Sequence, residues 1–162
     1  MRKTISAAVS IAVAATIAIA AASCGSDSTA PSAKRYVANL TPSNEVPAKT
    51  TTGTGVATFV DNTTEIDWTL SFTGMTGVVA SHIHGPAAAG VSTGVIFNLF
   101  LPNVATGTVN GEVAHGSITA ANNANISLDS LRKLFNNGNA YVNVHTSVNP
   151  GGEIRDQIHP VN

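Results

Sequence analysis

Residues 65–72 read Glu65-Ile66-Asp67-Trp68-Thr69-Leu70-Ser71-Phe72, a strict alternation that sets Ile66, Trp68, Leu70 and Phe72 on one side and polar groups on the other. Successive side chains of a strand point to opposite faces, so the pattern predicts a strand with one face buried and one wet. Similar runs occur at 36–40 and 55–60 before it, and at 78–84, 94–101, 111–118, 140–145 and 153–159 after it. Turns rich in Gly, Pro, Asn and Thr separate them. Many short strands at this spacing predict an all-β fold: an antiparallel Greek-key β-sandwich, or the related barrel.

One segment breaks the two-residue period. In Asn125-Ile126-Ser127-Leu128-Asp129-Ser130-Leu131-Arg132-Lys133-Leu134-Phe135, the residues Leu128, Leu131, Leu134 and Phe135 recur at helical spacing. Ser127 fits an N-cap, Arg132 and Lys133 suit the electronegative helix end, and Asn136-Asn137-Gly138 supplies a stop. We expect one short helix near residues 128–136, packed on the sandwich rim.

With 162 residues, 43% hydrophobic and 10% charged, the chain has enough apolar material for one core once its N-terminus is set aside. Two of the eight Lys and Arg and none of the nine Asp and Glu fall within residues 1–23, so the remainder carries a formal charge of −3. With no basic cluster to face phosphates, a nucleic-acid partner is not expected.

The N-terminus reads as an export signal. Arg2 and Lys3 precede an apolar, Ala-rich run from Ile5 to Ala22, and residues 1–23 are expected to be a lipoprotein signal peptide. An uncleaved membrane anchor is the alternative for a run of this length. Ala21-Ala22-Ser23-Cys24 resembles the lipobox of bacterial lipoproteins, with Ala in place of the commoner Leu at position 21. That resemblance implies lipidation of Cys24, the single cysteine, and hence a membrane partner and a cell-envelope location. Acyl chains bind membrane by about 0.8 kcal/mol per buried methylene, so two or three hold a protein durably. Residues 24–34, polar and Ser-rich, read as a flexible tether, and 35–162 as the folded domain. The absence of Asp after Cys24 implies outer-membrane sorting if the cell has one.

Two segments carry the chemistry: SHIHGPAAAG at 81–90 and AYVNVHTSVNPGGEIRDQI at 140–158. In a strand, residues i and i+2 share a face, about 6.5–7 Å apart. His82 and His84 can therefore converge on one ion, with His145 supplying a third nitrogen from a neighbouring strand. Neutral imidazoles suit copper and zinc. The competing reading is architectural, with the same rings tying loop carbonyls. His115 is a conceivable fourth ligand without supporting spacing, and His159 reads as a surface residue. Asn149-Pro150-Gly151-Gly152 reads as a hairpin turn. Glu153 and Arg155 share a face beyond it as a cross-strand pair or turn clamp. We expect no serine nucleophile elbow, no phosphate loop, and no free Cys nucleophile once Cys24 is acylated.

The domain resembles the CHRD family over nearly its whole length. The motifs that carry this are ANLTPSNEVPAKTTTGTGVATF at 38–59, SHIHGPAAAG, AYVNVHT and NPGGEIR. Family domains usually have Gly where this chain has Asp156, and Glu45 in the early loop fits a partner for a basic residue that closes one sandwich end. The resemblance implies a non-catalytic binding or structural module with a protein or glycan ligand. The growth-factor partner of chordin itself does not transfer with the fold. A second, weaker resemblance is to copper–zinc superoxide dismutases, through the order His82, His84, His145 and Arg155. It implies a copper- or zinc-binding site with dismutase-like activity, in which Arg155 guides an anion to the metal. No segment matches the dismutase zinc loop and one cysteine forms no disulfide, so the expectation is limited to a mononuclear site.

Overall fold

The computed structural model describes residues 33–161; the expected signal peptide, Cys24 and the tether up to residue 32 lie outside the described residues. Nine strands follow in order: β1 (Lys34–Leu40), β2 (Thr54–Asp61), β3 (Glu65–Thr76), β4 (Val78–His84), β5 (Val95–Phe100), β6 (Thr108–Thr119), β7 (Tyr141–Thr146), β8 (Ile154–Gln157) and β9 (His159–Pro160). A 3-10 turn at Pro42–Asn44 follows β1, and the one helix among the described residues, α1 (Leu128–Asn136), precedes β7.

The strands form two antiparallel sheets, ordered β6-β3-β2-β1-β9 and β5-β4-β7-β8. The chain leaves β3, makes the β4–β5 hairpin in the other sheet, and returns as β6 beside β3; β7 likewise returns beside β4. This is the expected Greek-key sandwich. Its core is what the alternation in β3 dictated, with Ile66, Trp68, Leu70 and Phe72 all buried. Phe59 and Ala57 of β2, Tyr36, Ala38 and Leu40 of β1, and Ile83, Val142, Val144 and Ile154 of the other sheet meet them.

The expected strand at 153–159 is divided. At Ile158 the backbone N–H bonds the Ala140 carbonyl at 2.8 Å, and His159 then pairs with Val37 in the other sheet. Ile158 is fully buried where the chain steps between sheets. Just before this step, Thr41 and Arg155 exchange two backbone hydrogen bonds of 3.2 Å, which joins the sheets along one side.

Helix α1 forms where the spacing predicts. Ser127 Oγ caps it by accepting from the Ser130 N–H at 3.2 Å, and Gly138, at φ 63°, turns the chain after it. Leu131 and Phe135 are buried, and the Phe135 ring packs against Tyr36 and Phe59 with centroids 5.3 and 5.0 Å away. Arg132 departs from the expectation that it serves the helix end. Its guanidinium reaches the β2–β3 turn and holds both oxygens of Asp61, at 2.9 and 3.0 Å, and the Thr63 carbonyl. A bidentate carboxylate within reach outcompetes a diffuse helix-end field.

Candidate metal centre

The pleat of β4 and β7 decides which side chains gather. Ser81 and Ile83 point inward and are fully buried, so His82 and His84 point to the outer face. On β7, Val142 and Val144 point inward, leaving Tyr141, Asn143 and His145 on that same outer face. The register sets His84 opposite Tyr141, His82 opposite Asn143 and His145 opposite Ala80. Loops roof this face, so polar residues on and beside it are buried: His84, Asn143, Arg155 and Glu45 retain 8%, 4%, 2% and 6% exposure.

The three imidazoles form one cluster. Ring centroids are 4.9 Å apart for His82–His145, 5.7 Å for His82–His84 and 6.4 Å for His84–His145, and one nitrogen of each ring lies within 4.8 Å of the others. Bonds of about 2.0–2.1 Å to a shared ion bring such nitrogens to roughly 3.3–4 Å, so the widest pair would close by about 1 Å.

Hydrogen bonding fixes the protonation of two rings. His84 Nδ1 lies 2.9 Å from the Thr93 carbonyl, and His145 Nδ1 lies 2.9 Å from the Pro150 carbonyl. A carbonyl only accepts, so each Nδ1 carries the proton and each Nε2 of the neutral ring presents a bare lone pair. Both Nε2 atoms, and Nδ1 of His82, are buried with no hydrogen-bond partner among the described residues. Burial, with the neighbouring His145 and His84, pulls the His82 pKa from 6.5 down to about 4. Burial likewise lowers that of His84, against the pull of the Thr93 carbonyl. Clustered imidazoles whose Nδ1 is tied to a backbone carbonyl, as in His84 and His145, are an arrangement that metal-ligating histidines adopt.

The remaining sequence-derived residues are placed as follows. Arg155 is a clamp: its guanidinium lies 3.5 Å from the Tyr141 ring centroid, and Nη1 and Nη2 donate to Ser92 Oγ at 3.3 Å and the Val91 carbonyl at 2.5 Å. Guiding an anion requires an accessible cation, and this one is enclosed. Of the two expected readings of Glu153 and Arg155, no ion pair forms, and Glu153 is a turn clamp. Glu153 accepts instead from Thr146 Oγ1 at 2.6 Å and from Asn149 Nδ2 at 3.1 Å, both at the turn. Glu45 takes no ion pair among the described residues; it accepts from Asn143 Nδ2, and burial raises its pKa. Asp156, where the family usually has Gly, accepts from the Asn39 N–H at 2.8 Å and Asn44 Nδ2 at 3.0 Å, binding β8 to β1 and the 3-10 turn. His115 lies on β6 in the other sheet, paired with Glu112 at 2.7 Å, and is no fourth ligand. His159 is exposed, as expected.

The stretch Gly90-Val91-Ser92-Thr93-Gly94 has the spacing of a serine elbow, contrary to the expectation that none exists. It lies in the loop between β4 and β5 rather than on a strand-to-helix turn, and Ser92 Oγ accepts from Arg155. The same loop supplies the Thr93 carbonyl that accepts from His84 Nδ1. No side-chain signal announces that contact, nor the Pro150 carbonyl behind His145.

Fold and site together define an all-β sandwich module with a three-imidazole cluster roofed by loops on the outer face of its four-stranded sheet. The chain belongs to the CHRD domain family, whose model matches residues 36–158. No curated protein and no solved structure matches it.

Proposed function

We propose that this is an exported, lipid-anchored CHRD-domain protein of the cell envelope, whose sandwich holds one copper or zinc ion on His82, His84 and His145. The observation that carries the metal reading is a cluster of three imidazoles, each able to bring one nitrogen within 4.8 Å of the others and each with one buried nitrogen that has no hydrogen-bond partner. Leaving a buried acceptor unpaired costs about 1–3 kcal/mol, and one cation satisfies three of them at once. The loop-tying reading accounts for Nδ1 of His84 and of His145 but leaves these lone pairs unexplained. An all-nitrogen donor set favours copper and zinc over magnesium or calcium, which prefer oxygen. Three protein ligands leave a further position for water or a small ligand. Lipid anchoring is supported by Ala21-Ala22-Ser23-Cys24 at the end of the apolar run.

Metal content tests this reading. Protein purified without a His-tag should contain about one copper or zinc ion per chain by mass spectrometry, and His82→Ala and His145→Ala should lose it while keeping the strand-rich circular dichroism. Equal, substoichiometric metal in all three proteins would sink the proposal.

A further inference from the structure

Asn143 stands among the histidines yet binds none of them. It lies directly across from His82, two residues before His145 and two after Tyr141, on the outer face that all of them share. The residue is 4% exposed, its side-chain nitrogen donates to Glu45 Oε1, and its side-chain oxygen is buried with no partner among the described residues.

The orientation of the amide follows from its neighbours. Glu45 Oε1 accepts from the NH2 arm, which turns the carbonyl arm elsewhere. Gly152 closes the same side: a Cβ there would lie 2.6 Å from both Asn143 Nδ2 and Glu45 Oε1. Gly152 belongs to the turn entering β8, and Glu45 follows the 3-10 turn that packs on β8. The nitrogen arm is therefore engaged on the β8 side of β7, which leaves the oxygen arm for the β4 side, where His82 lies.

Resting on the metal reading above, we infer that Asn143, locked by Glu45, selects what occupies the metal's open position: its buried carbonyl oxygen accepts a hydrogen bond from a metal-bound water and disfavours an anion there. Water donates to that oxygen. Azide or a similar anion presents only lone pairs to it and meets repulsion in a buried site. Asn143 is thus a positioning residue, outside the ligand set, and Glu45 acts through it.

The test uses the full-length protein loaded with Cu(II) and titrated with azide, followed by the azide-to-copper charge-transfer absorption. Asn143→Leu, close in shape, should keep one copper per chain and bind azide roughly tenfold more tightly, the equivalent of one net hydrogen bond. Because that variant leaves Glu45 buried without its amide, the Glu45→Leu/Asn143→Leu double variant removes both partners, and the same gain is expected. Copper retained with azide affinity unchanged in both variants overturns the role of Asn143 and leaves the metal site standing. A wild-type protein that takes up no copper or zinc overturns both.

Discussion

The Tyr141 ring lies flat against the His84 imidazole, with centroids 4.7 Å apart and planes within 2°. The same tyrosine hydroxyl accepts from the Thr93 N–H at 3.2 Å, and the Thr93 carbonyl accepts from the His84 Nδ1–H at 2.9 Å. Tyr141 therefore fixes His84 twice, through its face and through the loop that orients the ring.

Removing that support should weaken metal binding without removing a ligand. Tyr141→Leu is expected to lower copper affinity about 10–100-fold in competition with a chelator, the usual range for groups that orient ligands. Tyr141→Phe keeps the stack, loses only the Thr93 contact and should fall between wild type and Tyr141→Leu. Wild-type affinity in Tyr141→Leu would show that the strands alone orient His84.

Acid should destabilise the metal-free protein in a defined window. His82 titrates near 6.5 in an unfolded chain and at about 4 in the fold, because burial first, and then His145 and His84, penalise its charge. Between those values the unfolded state binds the extra proton, so stability falls as pH drops from 6.5 toward 4 and the loss from this group levels off below. His84, lowered chiefly by burial, acts in the same direction. Urea midpoints should accordingly fall across this range, and His82→Gln should show a shallower dependence. Parallel slopes would mean that His82 is not held neutral.

The anchor is tested at Cys24, which precedes the described residues. Cys24→Ser is expected to abolish acylation and to leave the protein either soluble or unprocessed. Normal processing with persistent membrane attachment in that variant would exclude a lipid anchor at this position.

The sandwich was legible because period-two burial is written into single strands. Ile66, Trp68, Leu70 and Phe72 declare their inner face without reference to any other segment. The histidines were legible for the same reason, since His82 and His84 are two apart and His145 follows Tyr141 and Asn143 on one face of β7. What stayed hidden depends on loop paths. The carbonyls of Thr93 and Pro150 are backbone groups that no residue type marks, and the enclosure of Arg155 follows from where residues 91–92 cross it. The hand-over at Ile158 was hidden too. An apolar residue that fills the space between two sheets looks, in sequence, like one more inward position of a single strand.

Arg132 shows the same dependence on tertiary placement, and its pairing carries a measurable consequence. Its side chain and that of Asp61 are only 20% and 11% exposed, so their bidentate contact is far less screened than a surface pair. Burial raises the Asp61 pKa, but the hydrogen bonds and charge of Arg132, the Thr63 N–H and Lys34 outweigh it, leaving the carboxyl below its ordinary 3.8. A depressed carboxyl pKa stabilises the fold above the unfolded value. That contribution is complete above about pH 5 and is lost as pH falls below 3.8 through the folded value. Arg132→Met keeps the aliphatic stem and leaves Asp61 without its cation, and should cost about 1–3 kcal/mol in urea unfolding at neutral pH. Asp61→Asn should cost less at neutral pH and should remove this part of the acid sensitivity. Equal acid sensitivity in wild type and Asp61→Asn would show that Arg132 does not hold the Asp61 carboxyl below its ordinary value.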